Sequence, residues 1–195
     1  MPRRTACIAW AMLPAMDGEN MNAKAAPAAG TISLIGMPGA GKSTVGVVLA
    51  KLCGLRFVDS DIDIQLREGA TLQEILEAHG YRYLRSVEEE VLLALPLAQA
   101  VIATGGSVVY SPRIMARLRA AGPVVYLSAD LKTLERRVAA APLRGIASAA
   151  GQSFADVHAE RCPLYEQYAD LTIDVATASA DAVAAQILAQ LDRAG

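Results

Sequence analysis

The sequence is poor in the residues that staple or metallate a fold. Its 195 residues include three cysteines and two histidines. Cys7, Cys53 and Cys162 are odd in number, scattered and in no CxxC pair. They make neither a disulfide framework nor a zinc site, and they point to a reducing compartment. Cys53 and Cys162 are expected as small buried apolar side chains. His79 and His158 lack ligand spacing and are expected at the surface or at helix ends. Charge imbalance is missing too. Eighteen Lys and Arg against 20 Asp and Glu leave a net charge of −2, which excludes a broad basic face for duplex nucleic acid. No apolar run is long enough to cross a membrane; the one at 6–13 is too short. No internal repeat is found. What is abundant is hydrophobic: 53% of residues, against 19% charged, which excludes a disordered chain. The 38 alanines favour helix, and the length suits about one domain with its own core.

The first 30 residues do not match the rest. Arg3-Arg4 precede the apolar run, and an Ala/Pro-rich stretch follows to Gly30. A basic start with an apolar centre can be read as a short signal peptide. The nucleotide chemistry downstream favours a flexible extension instead, or a start at Met21.

From Thr31 the pattern is regular. Short β-branched runs at 31–35, 55–58, 100–104, 124–127 and 171–175 read as strands. Between them lie helical stretches at 43–52, 62–67, 72–78, 81–95, 112–120, 131–140 and 180–191. Thr71 and Glu74 form a capping-box pattern, and Pro112 suits a first helical turn. Strands alternating with helices predict a three-layer α/β/α fold with a five-stranded parallel sheet and right-handed crossovers. Ligands in such sheets gather at the carboxyl ends of strands. Three strands here end in Gly-rich or acidic turns, after Ile35, Val58 and Thr104.

Residues 36–44, GMPGAGKST, fit G-x-x-x-x-G-K-[ST] between a predicted strand and a predicted helix. The backbone from Gly39, Ala40 and Gly41 to Thr44 would turn its N–H groups onto phosphate oxygens, aided by the helix N-terminus. Lys42 would supply a point charge to the β/γ-phosphates, and the Ser43 hydroxyl a ligand for Mg²⁺. Binding of ATP or GTP follows.

Asp59-Ser60-Asp61-Ile62-Asp63 closes the second strand. One carboxylate there can hold the magnesium shell and another can accept a proton from an attacking hydroxyl. If the backbone stays extended, Asp59 and Asp61 share a side; the competing reading is helix capping. Arg85 has Glu88 at i+3, placed to orient its guanidinium. Arg144 lies in an Ala/Gly-rich stretch that suits a lid, expected at about 139–156. Arg161 precedes Cys162-Pro163-Leu164-Tyr165. Arginine is the choice for planar recognition of carboxylates and phosphates.

Taken together, GMPGAGKSTVG, FVDSDIDI, LRSVEEE, VIATGGSVV, VVYL, PLRGIA and AERCPLY resemble the shikimate kinase family from about Thr31 to Leu191. The resemblance implies a P-loop kinase that converts shikimate to shikimate 3-phosphate with ATP and Mg²⁺, a step of aromatic amino acid biosynthesis. It implies a cytoplasmic monomer without nucleic-acid or membrane partners. By resemblance, Asp61 contacts the substrate hydroxyls as candidate base. Arg85 and Arg161 clamp the substrate carboxylate, and Gly105 and Gly106 approach it with their backbone. Arg144 meets the transferred phosphate. Ser43 and Asp59 serve magnesium, Asp59 through water, and Arg137 sits where the family stacks a side chain on adenine.

The departures are local. Ser107 stands where the family usually has a third glycine. Arg144 is followed by Gly145-Ile146 rather than Pro-Leu; anchoring on Pro142-Leu143 would put Ala141 at the arginine position, whereas Arg144 keeps the spacing from Arg137. Ala176-Thr177-Ala178 replace a basic or polar residue near adenine. Two alternatives therefore stand beside the main reading: a related kinase for a different small hydroxy acid or alcohol, and a non-catalytic nucleotide-binding regulator.

Overall fold

The computed structural model describes residues 30–140, 145–149 and 151–194. The expected N-terminal extension, Cys7, Met21, Ala141, Pro142, Leu143 and Arg144 lie outside the described residues.

Five strands are formed by β-branched and apolar runs: β1 (Thr31–Ile35), β2 (Arg56–Asp59), β3 (Ala100–Ala103), β4 (Val124–Ser128) and β5 (Leu171–Asp174). They pair in the order β2-β3-β1-β4-β5, all parallel. Such a sheet is covered on both faces, so β1 and β3 are buried throughout rather than at alternate positions. Ile32, Leu34, Ile35, Val101 and Ile102 are fully buried. Each such side chain contributes about 1.5–3 kcal/mol of burial free energy. Cys53 is buried and Cys162 half-buried, with the Tyr126 hydroxyl 3.4 Å from the Cys162 Sγ.

The helices are α1 (Lys42–Cys53), α2 (Ser60–Glu68), α3 (Leu72–Ala94), α4 (Pro112–Ala121), α5 (Leu131–Ala139), α6 (Phe154–Tyr168) and α7 (Ala180–Ala194). A 3₁₀ turn spans Val108–Tyr110. α1 packs on α7 and on strands β1 to β3, while α4 and α6 pack on β1 and β4. The Thr71–Glu74 capping box is present, and Ser111 caps α4 with Pro112 at its start. Gly80, at φ 79° and ψ 171°, breaks α3 into the two helical stretches expected from the sequence.

Two expectations are corrected. The chain does not stay extended to Asp61. It turns helical at Ser60, and Asp59 becomes the N-cap of α2, accepting a hydrogen bond from the Asp61 backbone N–H at 3.1 Å. A carboxylate at the end of a strand is an efficient cap, so local capping wins over strand alternation. The last three residues of the expected lid, 154–156, are the first turn of α6, fixed by a Ser153–Asp156 capping box.

Candidate active site

The carboxyl ends of β1, β2 and β3 open into a cavity of about 410 Å³. From β1 comes the glycine-rich turn. Gly36, Gly39 and Gly41 hold φ of 142°, 84° and 91°, and a Cβ on Gly36 would lie 2.7 Å from the Leu127 carbonyl oxygen. Only glycine meets both demands. Gly41 is the N-cap of α1 and offers it no side-chain acceptor, so the first N–H groups of α1 have no side-chain cap and suit an anion. Lys42 is buried, and its Nζ donates to the carbonyls of Gly36 (2.8 Å) and Met37 (3.0 Å). Burial lowers its pKa to about 8, against the opposing pull of Asp61 and then Asp59.

From β2 comes Asp61, in the first turn of α2. Its Oδ1 lies 3.2 Å from where a Gly105 Cβ would stand. From β3 come Thr104, whose hydroxyl donates to Leu34 O at 3.0 Å, and Gly105-Gly106. The Gly105 N–H donates to the buried Ser60 hydroxyl at 3.0 Å. The Tyr165 hydroxyl, from α6, donates to Gly106 O at 2.5 Å. A Cβ on Gly105 would fall 2.0 Å from Glu88 Oε1 and 3.2 Å from Asp61 Oδ1, so a side chain here would displace the Glu88 carboxyl. Packing a side chain into that contact would force the neighbours apart.

Glu88 does not orient Arg85 through the i+3 contact. It turns instead to Ser107, whose hydroxyl donates to Glu88 Oε2, while Oε1 is buried without a hydrogen-bond partner. Glu88 is 4% exposed. Burial pushes its pKa to about 7; the Ser107 hydrogen bond opposes this, Asp61 adds to it, and Arg161 and Lys42 oppose it. The hydroxymethyl group of Ser107 therefore faces Glu88.

Arg161, on α6, is 1% exposed. Its Nη2 donates to Ala147 O at 2.5 Å and its Nε reaches the Tyr110 hydroxyl at 3.4 Å. Arg85 Nη2 donates to the same Ala147 carbonyl at 3.1 Å, while its Nε is buried without a partner. A buried guanidinium whose hydrogen bonds go to neutral oxygens is suited to an anion. Arg137 is half-buried rather than on the surface. It donates to Val175 O (2.7 Å), Ala176 O (3.1 Å) and Gly39 O (3.4 Å), tying α5 to the P-loop and to the end of β5. Val175, Ala178 and Val183 line the cavity beside it.

Of the residues singled out from sequence, those of the P-loop, Asp61, Gly105, Gly106, Arg137 and Arg161 line this one cavity. Asp59 and Arg85 stand in the layer behind it, Asp59 as a cap and Arg85 through Ala147. Ser60, Tyr110, Tyr165 and the Ser107–Glu88 bond are not predicted by any spacing in the sequence. The Tyr of the AERCPLY segment was visible, but its partner carbonyl lies 59 residues away.

A family model described as Shikimate kinase matches residues 38–192. Shikimate kinase from Paracidovorax citrulli is 39% identical over 172 residues, covering 85% of this chain and 93% of that protein. Shikimate kinase 1 from Yersinia enterocolitica is 38% identical over 168 residues, covering 83% and 95%. Among solved structures, the shikimate kinase from Acinetobacter baumannii in complex with shikimate superposes with a TM-score of 0.77 at 33% identity, covering 88% of this chain and 98% of that one. The Aquifex aeolicus shikimate kinase gives 0.71 at 28% identity, covering 83% and 95%. The chain belongs to the shikimate kinase family.

Proposed function

We propose that the protein transfers the γ-phosphoryl group of ATP to a hydroxyl of shikimate. The observation that carries the reading is the convergence of two guanidinium groups, one fully buried, on a single neutral oxygen beside a P-loop. A carboxylate is the partner such a pair can hold in place of that oxygen.

In this reading the triphosphate lies along the first turn of α1, with Lys42 on the transferred group. The Arg137 guanidinium and the apolar wall of Val175, Ala178 and Val183 take the base. Arg85 and Arg161 hold the acid, and the Gly105-Gly106 backbone brings its ring against Asp61. The donor set fits a magnesium ion held together with phosphates: a hydroxyl at Ser43 and a carboxylate at Asp59, of whose two oxygens the helix cap uses one. Ser43 would hold it directly and Asp59 through water, and the ion would neutralise phosphate charge. The substrate hydroxyl oxygen forms the new bond to the γ-phosphorus as the bond to the ADP oxygen breaks. The hydroxyl proton passes to the Asp61 carboxylate. Lys42 acts by position and charge, and the resemblance assigns Arg144 to the same charge.

No helix among the described residues is long and apolar enough to cross a membrane. We place the enzyme in the cytoplasm, where ATP is available, as a monomer.

The test is ADP release with ATP, magnesium and shikimate. Turnover that depends on millimolar shikimate supports the reading. A rate no different from the background ATPase overturns it.

A further inference from the structure

We propose that Tyr110 is a positioning residue for acid recognition: its ring is the plate against which the guanidiniums of Arg85 and Arg161 are set. This rests on the proposal that those two arginines hold the substrate carboxylate.

Tyr110 closes the 3₁₀ turn that follows the Gly105-Gly106-Ser107 segment. Arg85 Cζ lies 3.9 Å from the centroid of its ring, and Arg161 Cζ 5.3 Å from it. The other neighbour of Arg85 is Tyr81, at 5.1 Å. Arg85 is thus held between two rings from different parts of the chain. The Tyr110 hydroxyl is anchored as well. It receives the Arg161 Nε–H at 3.4 Å, and it donates to Glu160, whose carboxyl it holds below the usual range.

The physical point is what such a plate leaves available. All five guanidinium N–H donors lie in one plane. A carboxylate that fixed either arginine would occupy that edge and cancel the charge. A ring face fixes the cation through its π-cloud with no anion needed at the edge, which here bonds only the neutral oxygens of Ala147 and Tyr110. The unsatisfied Nε of Arg85 agrees with this, because ring faces rather than hydrogen bonds hold that end of the side chain. With both guanidiniums set against Tyr110, their Nη2 atoms meet on one oxygen, that of Ala147. A ligand carboxylate would find the same convergence. Tyr110 reaches neither the P-loop nor Lys42 in any of these contacts, so its influence falls on the acid and not on the nucleotide.

The experiment is steady-state kinetics on the full chain, varying shikimate and ATP separately, for Tyr110→Leu, Tyr110→Phe and Arg161→Lys, with thermal melting of each. Removing the ring is expected to raise KM for shikimate about tenfold, while KM for ATP and kcat stay within about twofold. Phenylalanine, which keeps the ring and loses the hydroxyl, is expected to restore KM to within about threefold of the starting protein. A merely structural role would lower Tm without splitting the two KM values. Should Tyr110→Leu not fold, Tyr110→Met keeps the bulk without the ring and carries the same expectation. An unchanged KM for shikimate in the Leu or Met variant overturns the proposal, as does an equal rise in KM for ATP or a failure of Phe to rescue. Arg161→Lys separates the two readings. If it leaves KM for shikimate unchanged, the arginine clamp falls and the role of Tyr110 with it. If it raises KM while the Tyr110 variants do not, only the role of Tyr110 falls.

Discussion

The two halves of the cavity are built from different materials. The half proposed for the phosphates is backbone: a turn of glycines at positive φ, an uncapped helix start, and a lysine held on the loop's own carbonyls. The half proposed for the acid is side chain: Glu88, Ser107 and Arg161 line it, backed by Arg85 from α3, Tyr110 from the 3₁₀ turn and Tyr165 from α6. A backbone cradle recognises a group that is the same in every nucleotide. A side-chain pocket can be retuned one residue at a time. In the second half one side chain can reset another, as the Ser107 hydroxyl does for Glu88.

That contrast can be broken by mutation. The largest effect is expected at Lys42. Lys42→Met should cut kcat/KM for both substrates on the order of a thousandfold, since the lost charge acts on the transferred group. The check is initial rates of ADP release; a loss confined to shikimate would place Lys42 in the wrong half. Next is Arg161→Lys, which loses the planar fork while keeping the charge. It should raise KM for shikimate roughly thirtyfold, about 2 kcal/mol, and leave KM for ATP within twofold.

Gly105→Ala comes third. Its methyl group would lie 2.0 Å from Glu88 Oε1, so the Glu88 carboxyl would have to move and its bond to Ser107 would be disturbed. The expected cost is about 1–3 kcal/mol, read as a Tm lower by roughly 2–12 °C in thermal melts. The smallest effect is one of pH. The folded pKa of Glu88, about 7, exceeds the ordinary 4.5. The folded state therefore binds the proton more tightly, so this contribution is full below about 4.5 and is lost as pH rises through about 7. Asp61, Arg161 and Lys42 act on the same carboxyl. Glu88→Gln should flatten the fall in stability between pH 5 and pH 7, measured by urea unfolding at each pH. A slope equal to that of the starting protein would assign it to another group.

The same contrast explains what was legible in the sequence. The strands and the P-loop could be read because they rest on local patterns: β-branched runs of four or five residues, and glycines at fixed spacing; the order of the strands in the sheet could not. The acid half rests on contacts between residues far apart in the chain, such as Tyr165 with Gly106 or Arg161 with Tyr110. No spacing rule links such positions. The misreadings have local causes. α6 was not foreseen because Pro163 lies inside it, contributing no N–H to the ladder, and an Ala/Gly-rich stretch precedes it. For Asp59 and Asp61 the sequence leaves two readings open, one side of an extended strand or a helix cap, and alternation alone does not choose between them; the structure has the cap. Glu88 was assigned to Arg85 by helical spacing alone, whereas burial beside Ser107 decides its partner.

Ala147 offers its carbonyl to both arginines, so the guanidinium edges are already spoken for by the protein's own backbone. Any acid that takes its place exchanges one oxygen acceptor for another rather than filling an empty socket. The affinity measured for that acid is then a difference, and it depends as much on how firmly residues 145–149 sit as on the arginines themselves.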